Sequence, residues 1–174
     1  MACSIYGKRN RVSIVTDVVP NWRGVLLHLF TAEIAGAEMR EHSQLRLLPG
    51  RGVEGDRYLS GRGHYSYLPH EDRQITLIEV ETLDALVRDH GIELTPAETR
   101  RNLVTRGVPL AHLVGRRFQV GATVLYGGRL NVPCKYLENL IDKPVFNPLV
   151  NRSGLNCQIV VGGDIYRGDV VEPV

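Results

Sequence analysis

The chain has 174 residues, of which 43% are hydrophobic and 23% are charged, and this composition is typical of one ordinary globular domain. A net charge of +2 is too small to indicate a nucleic-acid partner, and no apolar run approaches the roughly 20 residues that a membrane-spanning helix requires. Three cysteines without a CxxC spacing, and no visible secretory signal, favour a reduced, cytoplasmic setting.

The N-terminal part of the chain has the pattern of an arm followed by strands. The first residues are polar and basic and show no periodicity, which is typical of a loose arm. β-rich runs follow at 13–19, 25–30 and 44–48, and glycine or proline separates them. We therefore predict an N-terminal arm and lead-in strand over 1–22 and a single domain over 23–174.

The segment 49–73 contains five glycines and no periodic pattern. A long irregular segment inside a compact domain is usually functional or mobile. Gly50, Gly52 and Gly55 would allow backbone N–H groups to approach an anion, although a set of tight turns explains the same composition.

A strand over 74–78 is predicted to lead into a helix over 79–90 that ends at Gly91. A second helix start follows at 95–98, where threonine, proline and glutamate have the spacing of a capping box. Four apolar residues of the first helix share one face, and we predict that this face packs in the core: Val80, Leu83, Leu86 and Val87.

A cluster of arginines surrounds Asn102 just after this second helix start. The chain has 18 arginines against three lysines, and the guanidinium fork matches phosphate and carboxylate groups. Arg100, Arg101 and Arg106 with Asn102 therefore predict an anion-binding loop. Charge complementarity at the end of a helix explains Arg100 and Arg101 equally well.

The C-terminal third is predicted to be mostly strand again. Three short β runs between 117 and 132 are separated by Gly121-Ala122 and Gly127-Gly128, which we interpret as hairpin turns. A helix is predicted after Pro133, and a two-stranded hairpin over 156–171. Short strands, glycine turns and few helices predict a mainly β fold, either β-barrel-like or a β-rich α+β arrangement.

Cys134 is the sharpest candidate for chemistry because it follows Pro133, a natural first helical residue. In a first helical turn the free N–H groups and the helix dipole favour thiolate, and Lys135 adds a positive neighbour. A thiolate attacks electrophiles, carries a persulfide or binds a soft metal, whereas many free cysteines are small buried residues. Cys157 lies within a predicted strand and Cys3 lies in the arm, so neither is a site candidate.

Other catalytic patterns are missing from the sequence. There is no GxSxG nucleophile elbow, Walker-type loop or GxGxxG motif. The zinc-type side chains of His64, His70, Glu71 and Asp72 match no zinc-binding spacing. Nothing marks Lys135 as desolvated for a Schiff base, and pyridoxal phosphate is not expected.

Five segments of the chain form a combined pattern. They are GRGVEGDRY (50–58), RQITLIEVETLDAL (73–86), ETRRNLVTRGVPLAHLVGRRFQVG (98–121), RLNVPCKYLE (129–138) and SGLNCQIVVGGDIYRGDVV (153–171). Together they resemble the MOSC domain, the C-terminal domain of molybdenum cofactor sulfurases, over about residues 25–171 and in the same order. The resemblance implies a stand-alone MOSC-type β-barrel with a few short helices.

The resemblance implies a pocket cysteine, here Cys134, that ligates molybdenum in a molybdopterin-type cofactor or carries sulfur as a persulfide. Some family members reduce N-hydroxylated compounds. Asn156 stands where many relatives carry a basic residue, and no cysteine set for an iron–sulfur cluster is present, so a reductase would need an external electron donor. The residues that we expect to bind the anionic cofactor are Arg51, Asp56, Arg57, Arg100, Arg101, Asn102, Arg106 and Lys135.

The leading interpretation is a molybdenum-cofactor-dependent oxidoreductase or a sulfur transferase that acts on a small molecule. One alternative is a metal-free thiol enzyme that handles C–S bonds with Cys134 as nucleophile. Another is a non-catalytic module that stores or delivers the cofactor. A sulfur-donor or electron-donor protein and a homodimeric assembly are compatible with this interpretation, whereas nucleic acid and membranes are not expected partners.

Overall fold

The structure, a computed structural model, describes residues 21–174. The predicted strand at 13–19 and most of the predicted arm over 1–22 lie outside the described residues. The strands of the described part are β1 (Gly24–Thr31), β2 (Arg40–His42), β3 (Gln44–Leu48), β4 (Gly52–Val53), β5 (Ile75–Glu79), β6 (Leu103–Arg106), β7 (Arg117–Val120), β8 (Thr123–Leu130), β9 (Leu155–Val161), β10 (Gly163–Tyr166) and β11 (Val170–Pro173). The α-helices there are α1 (Val80–His90) and α2 (Lys135–Ile141), and the 3-10 helices are Glu71–Arg73, Ala97–Thr99 and Leu110–Leu113.

Seven strands close into a barrel. Their order is β11, β7, β8, β9, β5, β6 and β1, and β1 pairs with β11 to complete the ring. The short strand β2 pairs antiparallel with β1 outside this ring. The parallel pair of the barrel is β5 with β6, and α1 supplies the crossover connection that a parallel pair needs. A second sheet has the order β10, β3, β4. The predicted mainly β barrel with a few short helices is therefore confirmed.

Both sheets bury their apolar faces in one core. In β3, Leu45 and Leu47 are buried while their immediate neighbours on either side are more exposed, so the small sheet turns one face inward. The barrel contributes fully buried side chains such as Leu26, Leu77 and Phe118 to the same cluster. The alternation of apolar residues along each strand thus determines which face closes over the core.

The first helix forms where it was predicted. Gly91 adopts a left-handed conformation with φ 64°, and its N–H group caps the helix at the carbonyls of the last turn. Leu83 and Leu86 are buried as expected. Val87 is 48% exposed, so its predicted place in the core is wrong, because it lies about 100° around the helix from the buried Leu86.

Gly121-Ala122 forms the predicted turn between β7 and β8, whereas Gly127-Gly128 does not form a turn. The strand β8 runs through both glycines, with a register shift against β9 just after Gly127. A Cβ on Gly127 would lie 2.2 Å from the Leu113 carbonyl oxygen, and one on Gly128 would lie 2.3 Å from the Asp72 Cβ. These glycines therefore permit close packing and a bulge, and the predicted hairpin here is wrong.

The predicted C-terminal hairpin is also wrong. Strand β9 pairs with β8 and β5 in the barrel, whereas β10 pairs with β3 in the second sheet. The chain changes sheets at Gly162, where a Cβ would lie 2.5 Å from the Leu47 carbonyl oxygen. The close passage of two backbones, rather than a tight turn, requires glycine there.

Candidate functional site

A cavity of about 280 Å³ opens beside Cys134, between the 57–65 loop and the start of α2. Val132 and Pro133, which precede the cysteine in the sequence, and Tyr136 and Leu137, which follow it, also line this cavity. The sequence predicted a site around this thiol, and the remaining wall decides what chemistry is available there.

Cys134 is the residue that precedes α2 and is not part of it. Its backbone is extended, with φ −138° and ψ 145°, and the helix begins at Lys135. The prediction that Pro133 is the first helical residue and that the thiol lies in the first turn is therefore wrong. The Cys134 carbonyl accepts hydrogen bonds from the Leu137 and Glu138 N–H groups, so this residue is held at the N-terminus of α2.

Five arginines line the cavity together with this thiol. They come from four separate segments of the chain, and the barrel brings them to one end. They are Arg57, Arg73, Arg100, Arg101 and Arg129.

The turn before Arg100 aims two of these arginines. Thr95 and Glu98 form the predicted capping box, with the Thr95 N–H donating to Glu98 Oε2 at 2.8 Å and the Glu98 N–H donating to Thr95 Oγ1 at 3.3 Å. The helix that they begin is a single 3-10 turn, which ends at Arg100 in a left-handed conformation with φ 61°. The chain therefore reverses direction, and Arg101 enters the barrel end.

Arg101 is held by a dense set of hydrogen bonds. It donates to the Thr99 carbonyl at 3.1 Å, to the Ser153 carbonyl at 3.0 Å, to Ser153 Oγ at 2.8 Å and to Asn131 Oδ1 at 3.1 Å. Burial lowers the pKa of Arg101 to about 10, and the nearby Arg57 contributes to this decrease, while Cys134 opposes it. The guanidinium thus remains charged at neutral pH and is fixed in place.

Arg57 and Arg100 are linked to each other. Arg57 Nη1 pairs with Asp56 Oδ2 at 3.2 Å, and its Nη2 donates to the Arg100 carbonyl at 3.1 Å. Arg100 donates through Nη1 to the Ala37 carbonyl. Burial, and then the charge of Arg57, lower the pKa of Arg100, which is the expected effect of placing two cations beside each other.

Arg73 and Arg129 were missed as site residues by the sequence reasoning. Arg129 forms a bidentate pair with Asp72, with Nε to Oδ2 at 2.7 Å and Nη2 to Oδ1 at 3.2 Å. Arg73 donates to the carbonyls of Tyr65, at 2.9 Å, and Leu68. Both arginines open segments that resemble the MOSC domain, and Arg129 stands five residues before the thiol, which is the signal that could have identified them.

The cavity carries uncompensated positive charge. Asp56 and Asp72 neutralise two of the five arginines. Within residues 21–174, Arg73, Arg100 and Arg101 form no ion pair, and no carboxylate lines the cavity wall. This arrangement favours an anionic ligand such as phosphate, which arginine binds through charge-assisted bonds.

Asp56 and Asn102 lie behind the wall and are not part of it. The Asn102 Oδ1 accepts from the Thr76 N–H at 3.1 Å and from Thr76 Oγ1 at 3.0 Å. Its Nδ2 donates to the Phe30 carbonyl and to Asp56 Oδ2, both at 3.2 Å. Both side chains are buried, and they tie the loop that carries Arg57 to the barrel.

Three other predicted cofactor-binding residues lie away from this cavity. Arg51 is exposed and lines an adjoining cavity of about 530 Å³. Arg106 is exposed at the far end of β6, five residues after Arg101 and hence roughly 16 Å along an extended strand. Lys135 pairs with Glu138, and its ammonium group lies 5.0 Å from the centre of the Phe146 ring.

Aromatic rings form another part of the wall. The His64 and Tyr136 rings stack with centroids 3.7 Å apart and planes at 7°. The Tyr65 ring meets His64 edge-on at 4.7 Å. Burial, and then the neighbouring Cys134, raise the pKa of Tyr65, so its hydroxyl stays protonated beside the sulfur.

Comparison with known proteins identifies the family. A family model of the MOSC domain matches residues 56–172, and this chain belongs to the MOSC-domain family. No curated protein matches the chain. No helix in the described residues is long and apolar enough to cross a membrane.

Solved structures share the fold. The YuaD protein from Bacillus subtilis is 21% identical, with a TM-score of 0.72 over 87% of this chain and 97% of that one. YiiM from Escherichia coli is 19% identical, with a TM-score of 0.64 over 87% and 69% of the two chains. YiiM from Geobacillus stearothermophilus is 13% identical, with a TM-score of 0.62 over 87% and 73%.

Proposed function

We propose that this cavity binds a phosphate-bearing molybdopterin-type cofactor, with the Cys134 sulfur as a ligand of molybdenum. The observation that carries the proposal is a single wall that combines this thiol with five guanidinium groups and, within the described residues, no carboxylate. Membership of a family named after molybdenum cofactor sulfurases supports the same assignment.

The charge of the cavity suits the phosphate of such a cofactor. Arg73, Arg100 and Arg101 have no carboxylate partner in the described residues, so their charge is available to a ligand. Unit charges 4 Å apart attract each other by about 4 kcal/mol at an effective dielectric constant of about 20. The adjoining cavity shares Tyr58, Tyr65 and Arg73 with the first one, so a ligand longer than the first cavity can continue into the second.

The sulfur chemistry suits a metal that brings its other ligands with it. A thiolate is a soft ligand, and Cys134 is the cysteine that the described wall offers. Cys157 is buried in β9, where burial and then Asp72 raise the pKa of its thiol. Within residues 21–174, no group of three or more His, Cys, Asp or Glu side chains is arranged to hold a metal ion, so the cofactor must supply the remaining donors.

The proposed reaction is the reduction of an N-hydroxylated small molecule. Conversion of an N-hydroxyl group to N–H consumes two electrons and two protons and releases water. The bound cofactor would supply the two-electron redox chemistry, and an external donor would supply the electrons. The chain's own contribution would be to hold the phosphate with arginines, to ligate through Cys134 and to keep the Tyr65 hydroxyl protonated beside the sulfur.

Turnover of an N-hydroxylated base tests this function. Protein purified without oxygen from a host that makes the cofactor would be assayed with a chemical reductant, and the amine product would be measured. We expect turnover by the wild type and by Arg117→Gln, an exposed arginine on β7, and none by Cys134→Ala. Equal turnover by Cys134→Ala would contradict the proposed role of the thiol.

A persulfide on Cys134 is the other outcome that the assay must separate. Cyanide releases sulfane sulfur as thiocyanate, which is measured by its colour with iron. About one thiocyanate per chain, lost in Cys134→Ala and accompanied by no turnover, would replace the reductase proposal with a sulfur carrier.

A further inference from the structure

Asn156 presents an unused hydrogen-bond donor to the cavity. The residue is 6% exposed and lies on the cavity wall. Its Oδ1 accepts from Asn131 Nδ2 at 3.0 Å, whereas its Nδ2 donates to no other atom within residues 21–174. No fully buried side-chain polar atom in this part of the chain lacks a partner, so the free Nδ2 keeps access to the cavity.

Hydrogen bonds that run from Arg101 through Asn131 to Asn156 determine which end of the Asn156 amide is free. Arg101 has only donors, so the Asn131 atom at 3.1 Å from its Nη2 must be the amide oxygen. Asn131 therefore points its NH₂ group at Asn156, and the Asn156 atom that receives this bond must also be oxygen. The remaining end of Asn156 is the NH₂ group.

The surroundings of Asn156 carry no net charge beyond Arg101. Its cross-strand neighbours are Thr76 on β5 and Arg129 on β8. The Thr76 hydroxyl is engaged by Asn102, and Asp72 neutralises Arg129 through its bidentate pair. Arg101 has no carboxylate partner either, but it already donates four hydrogen bonds to protein atoms, so the free Nδ2 of Asn156 is the neutral donor in this part of the wall.

We propose that Asn156 determines ligand specificity by donating a hydrogen bond to an uncharged carbonyl oxygen on the ligand's heterocycle. This inference rests on the proposed function, because a pterin ring supplies such a carbonyl and its phosphate would engage the unpaired arginines. A primary amide held by its oxygen offers donors alone to the cavity, so an amino group at the same ligand position meets an unmatched donor.

Two pteridines whose substituents differ at position 4 test this specificity. Pterin carries a 4-oxo acceptor beside an N3–H donor, whereas 2,4-diaminopteridine carries a 4-amino donor beside an unprotonated N3, and the Asn156 variant separates the contribution of position 4. The full chain, purified from a host that makes no molybdopterin, would be titrated with each compound, and the quenching of pteridine fluorescence would give the two Kd values. Asn156→Asp preserves the shape of the side chain and replaces the donor by an acceptor, while Asn139→Asp makes the same change at an exposed position of α2.

We expect the wild type and Asn139→Asp to prefer pterin by about tenfold or more, and Asn156→Asp to reverse the order. Asn131→Leu removes the donor that holds Asn156 Oδ1, so the Asn156 amide can rotate and the preference for pterin over 2,4-diaminopteridine should decrease. An equal preference in the wild type and Asn156→Asp, or no binding of either pteridine, would overturn the inference.

Inorganic phosphate, titrated by calorimetry into the same proteins, separates this failure from failure of the proposed function. Phosphate binding without discrimination between the pteridines would remove only the role of Asn156. The lack of both phosphate and pteridine binding would remove the cofactor site as well.

Discussion

Replacement of Asn102 by alanine should destabilise the fold strongly, because this side chain joins β1, β5 and the loop that carries Asp56. Its four side-chain hydrogen bonds reach Thr76 twice, Phe30 and Asp56, at 3.0–3.2 Å. Alanine leaves the Thr76 N–H, which is half-buried, and the Phe30 carbonyl, which is buried, without these partners. Each unsatisfied group costs about 1–3 kcal/mol, so we expect a loss of about 2–6 kcal/mol in the free energy of unfolding.

Equilibrium unfolding in urea, followed by far-ultraviolet circular dichroism, measures this loss. Asn139→Ala is the matched control, because Asn139 is exposed on α2 and its replacement should change the free energy of unfolding by less than about 0.5 kcal/mol. Asn102→Asp adds a second carboxylate where Nδ2 now lies 3.2 Å from Asp56 Oδ2, and acid should partly relieve that defect. A loss below about 1 kcal/mol in Asn102→Ala would refute the structural role assigned to this amide.

Three further predictions concern the backbone, the pH dependence and the anion site. Gly154→Ala should lower the free energy of unfolding by more than about 3 kcal/mol, because the added Cβ would lie 2.0 Å from a carbonyl oxygen of β5. Gly115→Ala is the control, because Gly115 also has a positive φ but faces open space, and it should lower the free energy of unfolding by about 1 kcal/mol. Equal losses in the two variants would contradict the steric explanation. Burial raises the pKa of Glu79 in the folded state, so its ionisation opposes folding. The stability of the wild type relative to Glu79→Gln should therefore fall as pH rises from the unfolded-state pKa of about 4.3 through the higher folded-state pKa, and a constant difference in urea unfolding at several pH values would contradict this. Arg100→Gln should weaken the binding of inorganic phosphate by about 10- to 150-fold in calorimetry, while Arg117→Gln should leave it unchanged, and equal affinities would remove Arg100 from the anion site.

The barrel was predictable from short strands separated by glycines, but the pairing of those strands was not. The Gly127-Gly128 pair has the composition of a hairpin turn, yet its glycines serve the close approach of Leu113 and Asp72 across the fold. Local composition cannot distinguish a turn from a close contact, because both require the lack of a side chain. For the same reason the change of sheet at Gly162 was interpreted as a hairpin.

The site was predictable only where it is local in sequence. The thiol and the Arg100-Arg101 pair are recognisable from neighbouring residues, and they line one cavity. The direction of Arg106 was not predictable, because it depends on the left-handed turn at Arg100 and the extended strand that follows. Arg73 and Arg129 reach the cavity because distant segments of the chain pack together, so the signal for them in the sequence is their place at the start of segments that resemble the MOSC domain.

The most direct test of the cofactor proposal is the molybdenum content per chain, measured by elemental analysis of protein purified without oxygen from a cofactor-competent host. Cys134→Ser would be prepared alongside the wild type, and Arg117→Gln would serve as the control. We expect close to one molybdenum per chain in the wild type and the control, and a large loss in Cys134→Ser. No molybdenum in any of the three, or equal content in Cys134→Ser and the wild type, would contradict ligation of the metal by this thiol.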